Sequence, residues 1–164
     1  MEIGENIASS FQMVSTSVKS IKLKNDFVAL DELNNFNKTL DVEYDIEAID
    51  LIEDKGYWLG TSLLKVKCEV KKNAKKKIIV EVQIQGVFIE NSARAKKDFE
   101  DMLNINGCSC LYSVARGLII SITGQALEAG KVVLPMINVF EFNKAKRKKE
   151  DNLVSEDAKE GGGN

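Results

Sequence analysis

The sequence predicts an α+β fold: a four-stranded antiparallel sheet, connected as a meander, with helices packed on one face. Three observations carry this. Long stretches alternate apolar and polar residues with a period of two. Short turn-forming segments separate them. The apolar spacing turns helical (i, i+3, i+4, i+7) only beyond residue 93. Strands first and helices afterwards is the order of an α+β domain.

The first strand is read over Ser9–Lys24. Val14, Thr16 and Val18 alternate on even positions and Ile21 and Leu23 on odd ones, which predicts a bulge near Lys19 and Ser20. Residues 25–38 read as a loop. Thr39–Ile49 is a clear strand, with Leu40, Val42, Tyr44, Ile46 and Ala48 on one side and Asp41, Glu43, Asp45 and Glu47 on the other. After the turn "EDKG", Tyr57–Lys71 alternates Leu64, Val66, Cys68 and Val70 against charged residues. Lys77–Ile89 repeats the scheme with Ile78, Val80, Val82 and Ile84. The short connections imply antiparallel pairing, with Lys67 near Glu81 and the acids of strand two facing the lysines of strand three.

Ala93–Leu103 reads as a short helix with Ala95, Phe99, Met102 and Leu103 on one side. Ser109–Leu127 is a longer one, with an apolar stripe of Leu111, Val114, Ala115, Leu118, Ile119, Ile122 and Ala126. Its opposite stripe is small: Ser113, Gly117, Ser121 and Gly124. Small residues there suit the close approach of another helix. A last basic helix is expected over Val139–Lys149. The domain is read as 1–149, followed by a disordered acidic and Gly-rich tail at 150–164.

A strand of about 14 residues spans ~46 Å, and a five-turn helix only ~27 Å. A single helix then leaves apolar sheet uncovered, to be met by another subunit or by a ligand.

Composition narrows the function classes. Hydrophobic residues are 44% and charged residues 29%, so the chain reads as globular. Neither a signal peptide nor an apolar run of membrane length is apparent, and the three cysteines make no even disulfide set. A cytoplasmic location and no membrane insertion are expected. There is no histidine, which removes the commonest general base and metal ligand. Cys108 and Cys110 lack two further ligands for a metal, so no metal, no cofactor and no catalytic residue is assigned, and the chain is not read as an enzyme. Arg116 is read as a structural residue needing a carboxylate or carbonyls.

Four stretches, in order, resemble the SecB protein-export chaperones: "SIKLKNDFV" (20–28), "VEVQIQGVF" (80–88), "LYSVARGLIISIT" (111–123) and "VLPMINVFEF" (133–142). The resemblance spans about residues 11–148. It implies an ATP-independent holdase that binds unfolded or precursor polypeptides in an apolar groove, for export or for a dedicated client such as an antitoxin. It implies a homotetramer, a dimer of dimers, with Ser113, Gly117, Ser121 and Gly124 at the oligomer interface. It implies a groove edge at Ile78, Val80, Val82 and Ile84, with Phe99, Met102 and Leu103 lining it and Trp58 added. Docking of the SecA translocase motor would use Asp26, Ile79 and Glu81. The chain departs from the classical acidic docking pattern at Asn25 and Ala29, and its net charge is only −2. The alternative function is nucleic-acid binding through the Lys-rich tip "KKNAKKK" (71–77). The absence of aromatic residues within that tip argues against stacking on bases.

Overall fold

The computed structural model describes residues 9–26, 37–71, 77–127 and 131–146. The chain forms two compact units, Met1–Leu134 and Pro135–Asn164.

The first unit holds a four-stranded sheet of order β1-β4-β3-β2, antiparallel throughout. Its strands are β1 (Gln12–Asn25), β2 (Asn37–Ile52), β3 (Tyr57–Lys71) and β4 (Lys77–Asn91). The meander runs through β2, β3 and β4, and β1 lies beside β4, as in a Greek key. The β2–β3 turn, Glu53–Lys55, closes on Gly56 at φ +66°, a left-handed conformation that glycine adopts without strain.

The register follows the charge pattern. Lys67 pairs with Glu81 across β3 and β4, and Asp41 and Glu43 face Lys67 and Lys65 across β2 and β3. The β1 bulge falls between Val18 and Ser20, so Val18, Ile21 and Leu23 share one face. A second irregularity between Met13 and Ser15 takes Val14 out of that row and puts Met13, opposite Phe88, into it. A third, between Ile46 and Ala48, corrects the reading of β2. Beyond it Ile49, opposite Gly60, continues the core row, whereas Ala48 lies opposite Thr61 on the other face. One extra residue reverses every later side chain in a strand.

The two expected helices are one helical run. Helix α1 (Lys96–Met102) passes through a π-helical turn, Leu103–Gly107, into α2 (Cys108–Ala126). The run has 31 residues, ~46 Å at about 1.5 Å per residue, which equals the strands in length. The expectation that one helix is too short is therefore overturned. What the run cannot match is the width of the sheet, because a helix ~10 Å across lies on four strands ~4.8 Å apart. By length and composition the run could cross a membrane. Here its apolar side packs on β3 and β4.

Phe99, Leu103, Leu111, Ala115 and Ile119 on the helices, and Leu64, Val66, Ile84 and Phe88 on the strands, are fully buried. Each such large apolar side chain contributes ~1.5–3 kcal/mol of transfer free energy. The buried stripe of α2 is rotated from the expected one: Cys108, Tyr112 and Thr123 join it, while Val114, Leu118 and Ile122 are half-buried and Ala126 is exposed. Gly60 permits the close approach, since a Cβ there would lie 2.6 Å from Leu103 Cδ1 and 2.9 Å from Phe99 Cζ. After α2 the chain is pinned back on it. Thr123 Oγ1 accepts the Val132 N–H at 2.9 Å, and Arg116 Nε donates to the Leu134 carbonyl at 3.2 Å.

In the second unit residues 139–146 are helical. Asn138 Oδ1 accepts the N–H groups of Phe140 and Glu141, which is N-capping. The end of this helix and the expected tail lie outside the described residues.

Candidate functional site

The width mismatch creates the site. On the helix-covered face, β3 and β4 are sealed, but the apolar row of β1 is not. Met13, Val18 and Ile21 lie opposite Phe88, Ile84 and Val82, each of which is 0% exposed, yet are themselves 39%, 45% and 44% exposed. Thr16, opposite Gly86, stands between Met13 and Val18, so the exposed row runs Met13, Thr16, Val18, Ile21, with three large apolar side chains and one threonine level with the core and in solvent. Such a strip favours contact with apolar groups. On the far side of the sheet, Leu40, Val42, Ile46 and Ile49 of β2 are half-buried and Leu51 is 41% exposed.

One end of this face carries a polar rim. Trp58 is half-buried and its indole N–H donates to the Arg94 carbonyl at 2.9 Å. The Arg94 guanidinium reaches the Met102 sulfur at 3.6 Å and the Glu90 carboxylate at 3.8 Å. Glu90 is 1% exposed, and its Oε2 has no hydrogen-bond partner among the described residues. Arg94 thus gathers Trp58, Met102 and Glu90 into one cluster.

The expected groove residues divide. Trp58 and Met102 remain partly accessible. Ile78, Val80, Val82 and Ile84 are all 0% exposed, as are Phe99 and Leu103. The structure places these six in the core rather than at a groove edge, because the helical run covers the strand pair to which the β4 residues belong. Sequence reasoning missed Met13, Val18 and Ile21 as surface. The alternation of Val18 and Ile21 was visible, whereas Met13 enters the row only through the irregularity that removes Val14. Which strand the helix leaves open is set by strand order.

The three expected docking residues come together at one end of β1 and β4. Ile79 lies opposite Lys24, and Glu81 opposite Lys22, on the open face of the sheet. Asp26 follows β1, and its N–H donates to the Lys77 carbonyl. Both acids are ion-paired: Lys22 to Glu81 at 2.9 Å and Lys24 to Asp26 at 3.5 Å. The hydrogen bond from Lys22 holds the Glu81 carboxyl below its ordinary range. This end of the face is a mosaic of both signs.

The small residues Ser113, Gly117, Ser121 and Gly124 are exposed along α2, and a Cβ at Gly117 would meet nothing within 4 Å. Cys68 and Cys108 are buried and Cys110 is half-buried. Burial pushes the thiols of Cys68 and Cys110 up, which keeps them protonated and poor as nucleophiles. Of the Lys-rich tip, residues 72–76 lie outside the described residues. Lys71 and Lys77 at its ends both pair with Glu69, at 3.2 and 3.6 Å.

No protein-family model matches the chain, and no curated protein sequence matches it. Among solved structures, the chain is similar to the Mycobacterium tuberculosis SecB-like chaperone Rv1957, solved with a ChAD peptide from the Rv1956 HigA1 antitoxin. The TM-score is 0.53 at 11% identity, over 78% of this chain and 91% of that one. A Streptococcus agalactiae protein of unknown function is similar at TM-score 0.43 and 10% identity, over 77% and 97%. The fold, a four-stranded antiparallel sheet with a helix packed on it, is thus one that a SecB-like chaperone also has.

Proposed function

We propose that this protein is an ATP-independent holdase, binding unfolded polypeptides along the exposed apolar row of β1. The observation that carries the reading is the contrast between Met13, Val18 and Ile21, in solvent, and the sealed residues beside them. An unfolded chain offers apolar side chains without a fixed polar pattern, and an apolar strip accepts them with little demand for sequence. Among the described residues β1 is also the outer strand of the sheet, so its outer backbone edge can pair with an extended client. The solved complex of the mycobacterial fold neighbour with an antitoxin peptide supports a polypeptide client.

Within this reading the client is an exported precursor or a dedicated partner such as an antitoxin. The protein works in the cytoplasm without a cofactor or catalytic chemistry, as a homotetramer whose α2 helices meet along Ser113, Gly117, Ser121 and Gly124. The paired charges around Glu81 do not favour a SecA-type contact that depends on an acidic surface.

The test is suppression of aggregation. A chemically unfolded client is diluted into buffer with a stoichiometric amount of the protein, and light scattering is followed. Reduced scattering without nucleotide is expected. Scattering equal to that of the client alone overturns the proposal.

A further inference from the structure

The open face of the sheet, opposite the helices, has two unlike halves. Toward Lys71 and Lys77 it is ionic, with Lys65 paired to Glu43 and Lys22 to Glu81. Toward the β2–β3 turn it is apolar. Leu59 lies opposite Ile89, Val87 opposite Thr61, and Leu63 opposite Gln85, all half-buried on the two central strands. The acids stand along β2: Asp50 opposite Leu59 and Asp45 opposite Leu63. Glu47 leans in the same direction, since its carboxylate accepts the Gln85 amide of β4 at 2.6 Å. The exposed turn adds Glu53, Asp54 and one cation, Lys55. On the β1 side, the uncharged Gln12, Ser15 and Ser17 lie opposite Ile89, Val87 and Gln85, and the exposed Lys19 follows at the bulge. Among the described residues no ion pair engages Asp50, Glu53 or Asp54.

We infer that this apolar half is a docking surface for a basic amphipathic helix of a partner protein. The charge of the occupant follows from complementarity: the β2 side, with Asp45, Glu47 and Asp50, is acidic and favours Lys and Arg on that side of the apolar stripe. Its helical form follows from the backbone. β3 and β4 are each paired on both sides, so the face offers no free ladder to an extended segment. A helix brings its own hydrogen bonds and needs only apolar contact. The dimensions agree, because Leu59 to Leu63 spans ~13 Å along the strand and an i, i+4, i+7 stripe ~10.5 Å. This surface lies on the opposite face from the β1 row and is independent of the holdase reading.

The experiment uses the full chain, isotopically labelled, and a synthetic helical peptide of about four turns with a leucine stripe flanked by lysines. A matched peptide carries glutamates instead. Expected are amide shifts centred on Leu59, Leu63, Val87 and Ile89, and affinity for the lysine peptide at least about tenfold above that for the glutamate peptide. The exposed double variant Glu47→Lys, Asp50→Lys is expected to lose about tenfold for the lysine peptide, while its suppression of client aggregation stays as in the parent. Equal affinity for the two peptides, or shifts centred on β1 and α2 instead, overturns the proposal. Failure of the unvaried protein to suppress aggregation overturns the holdase reading alone and leaves this mapping intact.

Discussion

The Tyr44 hydroxyl donates to the Leu103 carbonyl at 2.6 Å, joining β2 to the π-helical turn between α1 and α2. The same carbonyl accepts the Cys108 N–H five residues on, the bond that defines the wide turn. With the tyrosine's proton so used, the Ser62 hydroxyl, 2.9 Å away and 0% exposed, donates back to Tyr44. Burial pushes the phenol far above its ordinary range, so it remains a donor at any physiological pH.

Tyr44→Phe keeps the ring and removes this link, leaving Ser62 and one lone pair of Leu103 unsatisfied in the core. A loss of ~1–3 kcal/mol in unfolding free energy is expected from urea titration. An unchanged midpoint would mean that packing alone holds the wide turn.

Two glycines should respond in opposite directions. Gly60→Ala drives a methyl into Leu103 and Phe99 and should cost ~1–3 kcal/mol by overpacking. Gly117→Ala meets nothing within 4 Å and should gain ~1 kcal/mol from helix propensity. Gly117→Leu tests the proposed tetramer: solution mass should drop if α2 meets α2 there, and an unchanged mass removes this stripe from the interface.

Val18→Glu with Ile21→Glu should leave the fold nearly intact, because both side chains are already about 45% and 44% exposed. Surface changes of this kind usually stay within about 0.5 kcal/mol. Suppression of client scattering should fall to background. A double variant that protects clients as well as the parent moves the binding surface away from β1.

Acid should weaken the ionic half of the open face. Lys22 lowers the Glu81 carboxyl below its ordinary 4.5, so the folded protein binds that proton less readily than the unfolded chain. The contribution is complete above about 4.5 and lost as pH falls through the lowered value. Glu69 behaves alike, burial being outweighed by Lys71 and Lys77. The Glu81 and Glu69 side chains are only 15% and 16% exposed, but their partners Lys22 and Lys71 stand in solvent, so the effect is small and screened by salt. Glu81→Gln should flatten the acid side of the stability–pH curve in low salt and change little in high salt. A curve identical to the parent's in low salt would count against the pair.

Strand existence, the bounds of β3, the Lys67–Glu81 pairing and the β1 bulge were legible because each is local or is enforced by charge and alternation. The bulge after Ile46 was not. Ile46, Ala48 and Ile49 are all apolar, so either parity fitted the sequence. The π-helical turn was hidden for a related reason: "LNING" reads as a break between helices, and the chain instead continues with one widened turn, whose Leu103 carbonyl accepts a second hydrogen bond from the Tyr44 hydroxyl. The buried state of Ile78–Ile84 and the exposed state of Val18 and Ile21 look alike in sequence, since both rows alternate. Strand order separates them, through the long connection that puts β1 beside β4.

That connection also sets an order of assembly. β2, β3 and β4 pair through neighbours in the chain, so their ladders close over short loops at small entropic cost. β1 emerges first from the ribosome, but its partner is the last strand, and Gln12 meets Ile89. Its pairing carries the long-range closure that slows folding. During synthesis β1 waits unpaired, with Met13, Val18 and Ile21 in water, until β4 has been made. The newborn chain is for that interval itself an unfolded polypeptide with an exposed apolar strand, the kind of client that the finished protein is proposed to hold.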